Sequence, residues 1–247
     1  MKCNLALSIL FVPLAAAMIA GQTVPAASAN PAQTSNSTAN SSGDLSTVLA
    51  MMNKSSAGFQ SAQGDFEFQS YQKLVDDTDT QKGKIYFRRS KKGSVDAAFY
   101  IEGPAPKQVV YKNGVLQVYE KKINQVTERN VDKNKADVEA FLSLGFGASG
   151  DDLLKAYDVK MLGWETADGI KTAKLDLTPK NPKMLQTYPK IVLWIDPEKD
   201  ILLKQQFFEG SGDYRLAYYT NMKRNADLSD SVFSLKTSGK VTTVHPQ

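Results

Sequence analysis

The periodic part of the chain starts at Asp44. Leu45, Val48, Leu49 and Met52 recur at the i, i+3, i+4, i+7 spacing that gives a helix one apolar stripe. Asp44 or Ser46 can cap the start of that helix, and Gly58 is a natural stop. The period then changes to two. Phe66 and Phe68 alternate with Asp65, Glu67 and Gln69, while Ile85 and Phe87 alternate with Lys84 and Arg88. Val95, Ala97, Phe99 and Ile101 alternate with Asp96 and Glu102. Turn-forming residues bound these runs, among them 91–94 and Gly103-Pro104-Ala105-Pro106. Asn113-Gly114 lies between Val109-Val110-Tyr111 and Leu116-Gln117-Val118-Tyr119, a strong hairpin signal. Further strands are predicted near 157–164, 171–177, 190–195, 202–208 and 214–223. Turns this short join antiparallel neighbours, so the pattern predicts an α+β protein built on a curved antiparallel meander.

One segment departs from that pattern. Val138, Phe141, Leu142 and Leu144 fall on a helical period across 135–144, Gly145 to Gly150 interrupt it, and 151–157 can form a second short helix with Leu153 and Leu154 inward. Two readings follow. The segment is a mobile lid carrying Phe141, Leu144 and Phe146, with Gly145, Gly147 and Gly150 supplying freedom, or it is a fixed helix on a sheet with glycines as C-caps.

The first residues have the form of an export signal. Lys2 gives a positive start, Leu5 to Ala20 form an uncharged apolar run, and Ala27-Ser28-Ala29 supply the small-x-small cleavage pattern. A run of this length is short for a bilayer-spanning helix, which needs about 20 residues. The expected division is a signal peptide over 1–29 cleaved after Ala29, a low-complexity disordered tether over 30–43, and a single domain over 44–247. The expected compartment is the periplasm. Cys3, the single cysteine, would leave with the signal, so no disulfide partner is expected.

Composition then narrows the chemistry. One His and one Cys leave almost nothing from which to assemble a zinc site, a Cys-His dyad or a Ser-His-Asp triad. The expectation is therefore a protein that is not an enzyme, with no catalytic residues, no metal and no cofactor. Loss of Lys2 with the signal takes the formal net charge from +4 to +3, too little to argue for nucleic acid. Asp76, Asp77 and Asp79 lack the Gly and distal Glu of a calcium loop and are read as an acidic hairpin tip. Arg88, Arg89, Lys91 and Lys92 form a basic strand end that could contribute to docking. His245 is read as exposed and inert, and Asp151-Asp152 as carboxylates at a helix N-terminus.

The order of these elements resembles the periplasmic outer-membrane lipoprotein carrier (LolA) family. The resemblance rests on Gly64-x-Phe66-x-Phe68, Gly83-x-Ile85-x-Phe87-x-Arg89, Gln108-Val109-Val110-Tyr111-x-Asn113-Gly114 and Leu116-x-Val118-Tyr119. It continues through Leu175-x-Leu177-x-Pro179, Ile191-x-Leu193-x-Ile195-Asp196, Leu202-Leu203 and Leu228-Ser229-x-x-x-Phe233, and covers about residues 44–240. It implies an unclosed antiparallel β-barrel, covered by an N-terminal helix and a helical lid, that carries lipoprotein acyl chains from the inner to the outer membrane. It also implies acylated lipoproteins as cargo, an inner-membrane release complex as donor and an outer-membrane acceptor; a monomer is expected. Arg89 would help hold the lid shut, with Arg88 as its substitute. The family's Arg-Pro is here Arg89-Ser90.

An apolar, incompletely closed concave face is suited to lipid tails, because burying each methylene contributes about 0.8 kcal/mol without directional contacts. Candidate cavity residues are Phe66, Phe68, Phe87, Phe99, Ile101, Val118, Leu193 and Phe207, covered by Phe141, Leu144 and Phe146 on the lid. Each could equally be plain core packing. The alternative function is a half-barrel sensor of lipid or lipoprotein, or a glycolipid-binding module, without shuttle activity.

Overall fold

The computed structural model describes residues 41–89 and 94–246. The expected signal peptide and the residues Ser90, Lys91 and Lys92 lie outside the described residues. Helix α1 (Ser41–Ser56) buries Val48, Leu49 and Met52 and ends where Gly58 and Phe59 donate to the carbonyls of Ser55 and Ser56. It takes in the last three residues of the expected tether.

The first group of strands is β1 (Ser61–Gln72), β2 (Asp77–Arg89), β3 (Val95–Gly103), β4 (Lys107–Lys112), β5 (Val115–Glu120) and β6 (Gln125–Asn130). Asn113 and Gly114 make the β4–β5 turn with φ of 51° and 78°, the primed geometry that matches strand twist and that this residue pair favours. Two short helices follow, α2 (Lys135–Leu142) and α3 (Gly150–Ala156), close to the predicted bounds. Ser149 caps α3 by accepting from the Asp152 amide. The second group is β7 (Tyr157–Ala167), β8 (Ile170–Pro179), β9 (Lys190–Asp196), β10 (Ile201–Phe208) and β11 (Tyr214–Arg224), with α4 (Pro182–Thr187) between β8 and β9. A last short strand, β12 (Thr242–Val244), lies near the C-terminus.

All strands form one sheet in the order β12-β6-β5-β4-β3-β2-β1-β11-β10-β9-β8-β7. The expected curved antiparallel meander sheet is present, laid out as two meanders, β1–β6 and β7–β11, joined because β1 pairs antiparallel with β11. The edge strands β12 and β7 are not paired with each other, so the barrel stays open. The β12–β6 pair is parallel. Strands β6 and β12 escape the sequence pattern because they are short and mostly polar, and helix α4 because six residues are too few to show a helical period.

Apolar side chains on the concave face meet α1 and the α2–α3 segment in one core. The convex face of β3 and β4 has its own cover. Ala98 and Val110 pack under Leu228 and Phe233 of the C-terminal segment, which explains why β3 is buried on both sides.

Candidate functional site

The site lies between the concave face and the segment from α2 to α3. Sequence alternation aims Phe68 of β1, Ile85 and Phe87 of β2, Phe99 of β3 and Phe207 of β10 inward, because successive strand residues point to opposite faces. Phe141, Leu142, Leu144 and Phe146 descend from the other side. Together with Gln205 and Tyr219 these side chains enclose a cavity of about 30 Å³. Phe87 and Phe146 stack at 5.8 Å between ring centres, Phe146 meets Tyr219 edge-on at 5.3 Å, and Phe141 meets Phe207 at 5.3 Å.

The candidate residues divide. Phe68, Phe87, Phe99, Phe207, Phe141, Leu144 and Phe146 line the cavity. Phe66, Ile101, Val118 and Leu193 do not; they are buried in the surrounding core, Phe66 stacked on Phe68 at 4.1 Å. Ile85, Leu142, Gln205 and Tyr219 were missed. Ile85 shares the parity of Phe87 and could have been found from it. Gln205 shares the parity of Leu203 and Phe207, and a polar residue in an inward row was the available signal.

The covering segment is tied down at several points. Tyr111 of β4 donates to Glu139 of α2 at 3.2 Å, and the Leu202 amide donates to the carbonyl of Gly145 at 2.9 Å. Phe146 forms a single antiparallel bridge with Ile201. Asn53 of α1 and Asp151 of α3 exchange two hydrogen bonds at 3.0 Å. Arg89 donates to the carbonyl oxygen of Gly147 in the α2–α3 connection. Gly147 has φ of 78°, and a Cβ there would lie 2.4 Å from the Phe59 ring, so only glycine allows this close seating. At Gly147, glycine serves fit rather than mobility.

Arg88 is a correction. Neighbouring residues of one strand face opposite ways, so Arg88 points to the convex side and cannot substitute for Arg89. It donates to Asp96 and Asp230, each at 2.7 Å, and its guanidinium lies 4.4 Å from the centre of the Phe233 ring. Its work is to clamp the C-terminal segment.

Behind the lid sits a residue without a sequence signal. Asp200, in the β9–β10 turn, is fully buried, and neither carboxylate oxygen accepts a hydrogen bond from a described residue. Burial pushes its pKa up from 3.8 to about 7, against the opposing pull of Arg89 and Arg224. Arg224 in turn donates to the carbonyl of Ser55 at the end of α1 at 2.6 Å. One buried carboxyl thus lies in the field of the cation that holds the lid and of the cation that holds α1.

A twelve-stranded open sheet, curved round an apolar core with a helical segment across its mouth, is an unclosed half-barrel. The fold is shared with MucB: the crystal structure of that protein superposes with a TM-score of 0.52 over 81% of this chain at 17% identity. The structure of the Pseudomonas aeruginosa MucA/MucB complex gives a TM-score of 0.49 over 81% of this chain at 19% identity. This chain spans 66% and 64% of the respective matched chains. A LolA superfamily protein from Nitrosomonas europaea aligns over 77% of this chain and 97% of its own at 16% identity, with a TM-score of 0.38. A family profile with the description "Uncharacterized protein" matches residues 148–229. No curated protein matches the sequence.

Proposed function

We propose that this protein is an exported, periplasmic binding protein, not an enzyme, that takes lipoprotein acyl chains into the space between the concave sheet and the α2–α3 lid and carries them from the inner to the outer membrane. The observation that carries this reading is the cavity itself, apolar on both sides and about 30 Å³ in volume. That volume holds about one water molecule, so an acyl chain enters only by replacing lid side chains. Such a replacement is close to balanced. Burying a Phe or Leu side chain contributes roughly 1.5–3 kcal/mol, so Phe141, Leu144 and Phe146 together match roughly six to eleven buried methylenes at about 0.8 kcal/mol each. A near-even exchange of lid for ligand suits a carrier, which must release what it binds.

Carriage requires a donor and an acceptor, for which an inner-membrane release complex and an outer-membrane receptor are the partners in this reading. The test loads the protein with an acylated lipoprotein and follows transfer to outer-membrane vesicles. Binding of the acylated form, no binding of the unacylated form and transfer to the vesicles are expected. Equal binding of both forms would overturn acyl recognition, and stable binding without transfer would overturn carriage.

A further inference from the structure

We infer that Gln205 and Tyr219 form a polar subsite within the cavity that receives the carbonyl oxygen of an ester- or amide-linked acyl chain, so that the protein prefers acylated ligands to plain hydrocarbon. This rests on the acyl-binding reading above and adds the chemical feature that the site selects.

The two side chains are the exceptions in their surroundings. Every other side chain lining the cavity is Phe, Leu or Ile. The Gln205 Nε2 donates to the Tyr219 hydroxyl at 2.6 Å, with both residues buried. Neither side chain makes another hydrogen bond to a described residue. The pair carries three donor hydrogens, two on the amide and one on the hydroxyl, and the bond between them uses one. Reversing the amide does not change the count, because the hydroxyl would then donate and both amide hydrogens would be free. Spare donors in an apolar cavity call for an acceptor, since a buried donor left unsatisfied is destabilising.

Position selects the acceptor. Gln205 of β10 lies opposite Ala217 of β11, and Tyr219 is two residues along the same inward row. The Tyr219 ring is covered edge-on by Phe146 of the lid. A chain that displaces Phe146 therefore brings its own atoms against this pair, with the small Ala217 beside it. The ligand group that offers an acceptor without a charge, next to a hydrocarbon tail, is the acyl carbonyl. A free carboxylate would be disfavoured, because it would bring a net charge into a cavity lined with aromatic rings.

The test is displacement of diphenylhexatriene, an apolar fluorescent probe, by dodecane and by methyl dodecanoate. The intact protein should bind the ester about fivefold more tightly than the alkane, the difference one net hydrogen bond makes. The double variant Gln205→Leu/Tyr219→Phe should lose that preference, its ester-to-alkane affinity ratio falling from about five to about one. Removing both partners together leaves no orphaned donor, and a melting curve verifies that the double variant is folded. Two further arms, a triacylated lipopeptide and a diacyl phospholipid, distinguish the sources of the carbonyl; a loss of affinity for either in the double variant supports the subsite. Equal binding of ester and alkane by the intact protein, or an ester preference that survives in the double variant, overturns it. Failure of diphenylhexatriene to bind at all instead overturns the acyl-binding reading, and the subsite with it.

Discussion

The Arg89 guanidinium and the Gly147 carbonyl, 58 residues apart, are hydrogen-bonded, and this contact fastens the connection between α2 and α3 to the second strand of the sheet. It is charge-assisted and part-buried, which makes it one of the stronger single ties across the lid. Replacing Arg89 by Leu should release the segment. A hydrogen bond to a charged group contributes about 1.5–3 kcal/mol, so amide exchange across 143–149 should accelerate by roughly ten- to a hundredfold. Unchanged exchange there would show that the lid is held without this contact.

The adjacent arginine should behave differently. Arg88→Leu leaves Asp96, a carboxylate only 3% exposed, without its cation on the convex face. Breaking such a pair from one side costs about 3–5 kcal/mol. Denaturant titration should report that loss of global stability, while exchange within the lid, measured well below the midpoint, keeps its wild-type pattern. Lid exchange in Arg88→Leu that rises as in Arg89→Leu would contradict the division of the two faces.

Asp200 should make stability fall as pH rises. Its folded pKa of about 7 stands above the ordinary 3.8, so the folded state holds a proton over a range in which the unfolded chain has lost it. The favourable contribution is fully present below about pH 4 and is lost as pH rises through 7. About three units at 1.36 kcal/mol each make this on the order of 4 kcal/mol. Asn tolerates the positive φ of 53° at this position, so Asp200→Asn should fold and should flatten the melting temperature between pH 5 and pH 8. A pH profile identical to that of the intact protein would mean that another group titrates.

Gly147→Ala tests the seating of the lid independently of any charge. The added methyl would meet the Phe59 ring at 2.4 Å in a backbone conformation that disfavours L side chains. Diphenylhexatriene should bind this variant faster than the intact protein, because the closed state is strained and the open one is not. An unchanged binding rate would show that lid closure does not limit entry.

Much of this arrangement was already present in local pattern. The alternation about Phe66 and Phe68, Ile85 and Phe87, and Val95 to Ile101 fixes which residues share a face, because side chains reverse direction at every step of a strand. The same rule separates Arg89, in parity with Phe87, from Arg88. The Asn113-Gly114 turn and the helical spacing of Val138, Phe141 and Leu142 are equally local. What the sequence could not determine is which strands become neighbours. Pairing of β1 with β11 joins residues more than a hundred positions apart, and no periodicity encodes it. That pairing decides which inward residues line the cavity and which are packed away, as with Phe68 and Phe66. It also brings Arg224 from the end of β11 to the same buried region as Arg89 and Asp200, although Asp200 in its turn sequence reads as an ordinary surface residue. Burial is a property of what folds over a residue, and for Asp200, Gln205 and Tyr219 the covering groups come from distant parts of the chain.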